Sequence, residues 1–109
     1  MKKATLKVSL DTNLDPPVII STRKFDANGR GIRWQLKKGA DYTFKRLNEL
    51  DQAYFNRQSI NMKRTKITCN NRAPGGYESE YEIIVTKGNK DYSSTKSGSP
   101  PGGKPVIRN

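Results

Sequence analysis

The sequence predicts an all-β domain: an antiparallel, immunoglobulin-like β-sandwich of about seven to eight short strands with at most one short helix. Three observations carry this. Apolar and polar residues alternate at period two in several separate segments. Those segments are rich in β-branched and aromatic residues, which suit a pleated, half-buried surface. Between them stand clusters of Gly, Pro, Asn and Asp, the residues of tight turns. A small barrel is the alternative arrangement of the same elements.

The first strand is read from Ala4, Leu6, Val8 and Leu10 on one face against Thr5, Lys7 and Ser9 on the other. Asp11-Thr12-Asn13 turns the chain, and Asp15-Pro16-Pro17 excludes both helix and regular ladder pairing, since neither proline has an N–H to donate. Val18-Ile19-Ile20-Ser21-Thr22 is almost wholly β-branched and reads as a second strand. Asp26-Ala27-Asn28-Gly29-Arg30-Gly31 is a turn, because Asn-Gly accepts positive φ. Ile32, Trp34 and Leu36 alternate with Arg33 and Gln35 in a third strand, anchored by the one tryptophan. After Lys37-Lys38-Gly39-Ala40-Asp41, Tyr42 and Phe44 alternate with Thr43 and Lys45 in a fourth.

From Leu47 to Phe55 the pattern is mixed. Leu47, Leu50 and Tyr54 have helical spacing while Asn48 and Asp51 suit turns, so one short helix and a plain connection both fit. A brief strand at Ile60 and Met62 and a firmer one over Thr65–Asn70 follow. Beyond the Asn71–Gly76 loop lies the strongest strand pattern: Tyr77, Ser79, Tyr81, Ile83 and Val85 on one face, Glu78, Glu80, Glu82, Ile84 and Thr86 on the other. Lys87-Gly88-Asn89-Lys90 reads as a hairpin turn into a short strand around Tyr92. The Ser/Gly/Pro-rich segment near 93–104 reads as flexible, and Pro105-Val106-Ile107-Arg108-Asn109 as a final edge strand.

At 109 residues the chain fits a single domain, 1–109. Only 32% of residues are apolar, so the core has to be thin and confined to the patterned segments. Nine aromatics and clean alternation argue against a solvated tail. The absence of histidine and the single cysteine, Cys69, exclude Cys/His zinc sites, imidazole acid–base chemistry, Cys–His and Ser–His nucleophile pairs and an intrachain disulfide. No catalytic, cofactor-binding or metal-binding residues are assigned; the chain is expected to be non-enzymatic and to need no cofactor. Lys7 and Asp11 interrupt the place of a signal-peptide apolar run, and no window approaches the ~20 apolar residues of a membrane span, so the expected compartment is the cytoplasm, with Cys69 reduced and buried.

Trp34-Gln35-Leu36, Tyr42-Thr43-Phe44, Tyr81-Glu82-Ile83-Ile84-Val85-Thr86, the terminal Gly103-Lys104-Pro105-Val106-Ile107-Arg108-Asn109 and the Asp15-Pro16 pair together resemble small bacterial proteins of the DP-EP family. The likeness spans most of the chain. It implies an all-β sandwich, and it implies no activity and no catalytic residue.

The formal charge of +11, from 21 Lys and Arg against 10 Asp and Glu, creates a potential that attracts polyanions. Between Gln52 and Tyr77 no acidic residue occurs, while Arg57, Lys63, Arg64, Lys66 and Arg72 supply five cations. A second cluster comprises Arg23, Lys24, Arg30, Arg33, Lys37, Lys38, Lys45 and Arg46. The candidate polyanion contacts are Arg57, Lys63, Arg64, Lys66, Arg72, Lys37 and Lys38. With Trp34, Tyr54 or Phe55 exposed among them, they would form a stacking platform for single-stranded nucleic acid; alternation with Ile32 and Leu36 instead places Trp34 in the core.

The stripe Glu78, Glu80, Glu82 is expected to face Arg64 and Lys66 across a hairpin closed by the 71–76 loop, which would neutralise part of the surplus on one sheet face. Asp26-Ala27-Asn28-Gly29 opens like a calcium loop, but Lys37 stands where the closing glutamate belongs. The Pro105–Ile107 segment either docks within its own chain or pairs with a neighbour's exposed edge, which would give a homo-oligomer. The expected function is therefore a binding or assembly module, with a basic nucleic-acid-binding protein as the alternative.

Overall fold

The alternating segments become eleven strands among the residues described by the computed structural model, which are 3–13, 17–22, 24–94 and 105–109. No helix occurs among them. The strands are β1 (Ala4–Asp11), β2 (Val18–Ser21), β3 (Lys24–Asp26), β4 (Ile32–Leu36), β5 (Thr43–Asn48), β6 (Ser59–Ile60), β7 (Lys66–Cys69), β8 (Glu78–Glu80), β9 (Glu82–Lys87), β10 (Lys90–Ser93) and β11 (Val106–Arg108). They form a five-stranded sheet in the order β2-β1-β4-β7-β6 and two three-stranded sheets, β10-β9-β5 and β3-β11-β8. Pairing is antiparallel except for β1 with β4 and β3 with β11.

Period two dictates which side chains go inward. In the five-stranded sheet the register aligns Leu6, Trp34, Ile67 and Ile60 in one row and Ala4, Ile32 and Cys69 in the next. All but Ala4 meet Phe44, Ile83 and Val85 of the β10-β9-β5 sheet and Ile107 of β11 in one apolar cluster. Trp34 lies at its centre, fully buried, and its Nε1–H donates to the Tyr81 hydroxyl oxygen at 3.0 Å, the two rings meeting edge to face. A buried indole N–H needs such a partner, so Tyr81 both fills volume and completes the tryptophan.

That role explains the main departure from the sequence pattern. The run Tyr77–Thr86 is not one strand: it breaks at Tyr81 into β8 and β9, which belong to different sheets. Tyr81 is the corner, its N–H donating to Pro105 O at 3.1 Å. Alternation continues through the corner because both strands bury the same side, so period two alone does not reveal the change of sheet. The strand count exceeds the expected seven to eight for this reason and because β3 is only three residues long, too short to show alternation; the brief strand expected at Ile60 and Met62 is β6, which ends at Ile60.

Two further expectations change, and one open alternative is decided. The 71–76 loop does not close a hairpin: β8 pairs with β11, whereas β7 lies between β4 and β6. The Leu47–Phe55 stretch holds the end of β5 and then one turn, in which the N–H groups of Tyr54 and Phe55 both donate to Asp51 O. The terminal strand is not an edge; β11 sits between β3 and β8 with Ile107 fully buried.

Two turns match their residues: Asn28 and Gly29 adopt φ of 52° and 76°, and Gly88 in the β9–β10 hairpin adopts 62°. Ser93 and Ser94, expected to begin the flexible segment, are buried, and Ser94 exchanges hydrogen bonds with Ile83. Most of that segment (95–104) and the Asp15-Pro16 pair lie outside the described residues.

Candidate polyanion-binding face

The outward side chains of the five-stranded sheet follow from the same registers. Parallel pairing of β1 with β4 sets Lys7 beside Gln35 and Thr5 beside Arg33. Antiparallel β7 then adds Lys66 beside Gln35 and Thr68 beside Arg33, and β6 adds Ser59 beside Thr68. The face therefore carries a Lys7–Gln35–Lys66 row next to a Thr5–Arg33–Thr68–Ser59 row. With strands ~4.8 Å apart, the Lys7 and Lys66 backbones stand roughly 10 Å from one another. Lys7 and Lys66 are exposed and Arg33 is half-buried. Among the described residues none of the three makes an ion pair. The one carboxylate in these five strands, Asp11, lies at the end of β1, where it accepts from the Asn13 N–H at 3.0 Å.

Hydroxyls and an amide fill the positions between the cations. A surface of donors with unneutralised charge can hold phosphate, sulfate or carboxylate oxygens by charge-assisted hydrogen bonds. Further cations flank it. Lys37 and Lys38 are exposed in the turn after β4, and Lys63 is exposed in the β6–β7 turn beside the fully exposed Met62. At the opposite end Lys3 and Arg72 border a hollow around Gly31. A side chain at Gly31 would crowd Cys69 O at 3.0 Å, so glycine suits this close approach of the chain before β4 to β7.

The two smaller sheets treat charge differently. Lys24 of β3 pairs with Glu78 of β8 at 2.9 Å, Lys45 of β5 with Asp91 of β10 at 2.5 Å, and Lys87 of β9 with Asp41 at 2.5 Å. Each hydrogen-bonded ammonium holds its carboxylate below the ordinary value: Lys24 for Glu78, Lys45 with help from the Thr86 hydroxyl for Asp91, and Lys87 for Asp41. The expected pairing of Arg64 and Lys66 with the glutamate stripe does not occur. Glu78 is taken by Lys24, and Glu82 lies in another sheet, where it accepts from Asn48 Nδ2 at 2.9 Å and from the Ser93 hydroxyl.

The seven residues singled out from the sequence thus separate. Lys66 is on the face, and Lys37, Lys38 and Lys63 flank it. Arg64 is committed elsewhere: its Nε–H donates to Phe44 O at 2.8 Å and its Nη2 to Lys45 O at 2.6 Å, at the bulge where β5 shifts register against β9. Its charge covers the open edge of β5. Arg57 and Arg72 lie exposed in the loops before β6 and after β7.

Trp34 and Phe55 are fully buried, and Tyr54 packs edge to face on Tyr77, so these rings form no stacking platform. No protein-family model and no curated protein matches the chain.

Other chemistry-bearing groups serve the fold. Cys69 is buried in β7, and burial pushes its thiol up to about 11, which opposes a nucleophilic role. The Tyr77 hydroxyl donates to Asp51 Oδ2 at 2.5 Å, which raises the phenol above its ordinary value. Among the described residues no cluster of three or more Cys, Asp or Glu side chains is placed to hold a metal ion, and no helix is long and apolar enough to cross a membrane.

Lys7 was absent from the site residues read from the sequence, and Arg33 appeared there only within a cluster. Alternation does turn both outward. The antiparallel β4–β7 pairing brings Arg33 next to Lys66, and the parallel β1–β4 pairing, a contact between segments with no local signature, adds Lys7.

Proposed function

We propose that the chain is a non-enzymatic binding module that engages polyanions through the outer face of its five-stranded sheet. One observation carries this reading: Lys7, Arg33 and Lys66 stand in adjacent rows without ion-pair partners among the described residues, while the lysines of the described ion pairs belong to the smaller sheets. The rows read spacing and charge, and with Trp34 and Phe55 in the core they offer phosphate contacts without base stacking. Nucleic acid is the natural test ligand, with binding of low sequence preference.

We infer further that the sheets close as an antiparallel sandwich of the immunoglobulin-like kind. Support comes from the single core shared by their inner faces and from a shortest dimension of 19 Å, room for two layers about 10 Å apart. The likeness to the DP-EP family belongs to the same reading. Assembly through strand edges has less in its favour. Apart from β5 the edge strands are two to four residues long, and Arg64 covers β5 at its bulge.

Binding to random duplex, to single-stranded DNA and to heparin, each measured against salt, tests the reading. Three neutralised phosphates give a log–log slope of about −3 on duplex. Absence of binding to all three polyanions at about 50 mM salt would overturn it.

A further inference from the structure

We propose that a hollow at the Lys37–Lys38 end of the five-stranded sheet binds small phosphate monoesters that carry an apolar group. This goes beyond polyanion capture by the flat face and does not depend on it. The hollow, of about 520 Å³, lies over β1 and β2 where β4 has ended and the chain turns away. Its volume is that of a small-molecule site. Two kinds of group meet there.

The first is apolar. Ile20 is 48% exposed, and among the described residues only Met62 is another large hydrophobic side chain left so open. Ile20 stands opposite Ser9 on the outer side of β2, so its methyl groups form one wall of the hollow instead of joining the core. The second is charge. Lys7, Lys37 and Lys38 line the hollow, and none of them makes an ion pair among the described residues.

Three ammonium groups match a dianionic phosphate better than a monoanionic carboxylate. Ser9, opposite Ile20 on the outer side, adds a hydroxyl for a further oxygen. The Ile20 side chain and the aliphatic stems of the lysines give an apolar substituent a surface on which to lie. Inorganic phosphate would satisfy only the polar half of this arrangement.

The test is an amide NMR titration of the full chain with phenyl phosphate, with inorganic phosphate and phenol as separate arms. Expected are saturable shifts centred on Lys7–Ser9, Ile20–Thr22 and Lys37–Lys38, with inorganic phosphate about tenfold weaker at the same place and phenol without saturable binding. Ile20→Ser, at a position that contributes little to the core, should bring phenyl phosphate down to the level of inorganic phosphate. The double substitution Lys37→Gln, Lys38→Gln should weaken both phosphates by about tenfold or more. Each variant's own spectrum reports whether it is folded.

Equal affinity for phenyl and inorganic phosphate would overturn the proposal. So would shifts spread equally over Lys24, Lys45 and Lys87, or an Ile20→Ser variant that binds like the parent. The two sites fail separately. Saturation at the hollow without duplex or heparin binding removes the sheet face alone, and polyanion binding without the localised phenyl phosphate response removes the hollow alone.

Discussion

The five-stranded sheet and the two three-stranded sheets are built by the same alternation, yet they dispose of charge in opposite ways. In the small sheets Lys24, Lys45 and Lys87 each meet a carboxylate. In the large one Lys7 and Lys66 flank Gln35, and Arg33 stands between Thr5 and Thr68. A net charge of +11 is therefore not a uniform coat: of the acidic residues only Asp11 lies in a strand of the large sheet, at the end of β1. Exposed ion pairs add little stability, so the pairs in the small sheets matter chiefly for what they leave unneutralised elsewhere.

The contact that couples the two regions is Trp34 against Tyr81, and breaking it is expected to have the largest effect. Trp34→Ala opens a cavity at the centre of the shared core and should lower unfolding free energy by about 3–5 kcal/mol, read from urea denaturation. A loss under about 1 kcal/mol would mean that the sheets do not share that core.

Next in size is Arg64→Ala, which removes two donors from the β5 bulge and is expected to cost about 1–2 kcal/mol. Its effect on polyanion affinity should be smaller than that of Lys66→Gln, which in turn should leave stability within about 0.5 kcal/mol of the parent. Arg64 and Lys66 are two residues apart, so this pair separates a cation that holds the fold from one that faces solvent.

The smallest effects are in pH dependence, and they divide between the regions. Asp41, Glu78 and Asp91 have folded values depressed from 3.8, 4.5 and 3.8. Their contribution is present above those values and is lost as pH falls below them through the depressed ones. Asp41→Asn, Glu78→Gln and Asp91→Asn together should flatten the acid limb of a melting-temperature profile. In the large sheet Cys69 has the opposite sign. Its thiol is raised from 9.0 to about 11, so the unfolded chain ionises first and stability declines as pH rises through that window. Cys69→Ala should remove this part of the alkaline limb and leave the acid limb as it is.

Much of this was legible in the sequence. Ala4–Leu10, Ile32–Leu36 and the Asn28-Gly29 turn are local patterns, and the structure keeps them. The burial of Trp34 also follows from its alternation with Ile32 and Leu36. The rest depends on long-range pairing. Nothing local distinguishes Tyr81 as a corner from Tyr81 as one more inward residue, because β8 and β9 bury the same side. Nothing near Arg64 shows that its guanidinium reaches the carbonyls of Phe44 and Lys45, about twenty positions earlier. The basic face itself needs β1 beside β4 in parallel, and the sequence alone favoured antiparallel neighbours.

The most direct measurement compares two triple variants of equal charge on duplex DNA as salt is varied. Lys7→Gln, Arg33→Gln and Lys66→Gln should reduce the magnitude of the salt slope by about 3 and abolish most of the affinity. Lys24→Gln, Lys45→Gln and Lys87→Gln should leave the slope within about 1 of the parent. Equal losses from the two variants would show that net charge alone drives association, and would contradict a binding face on the five-stranded sheet.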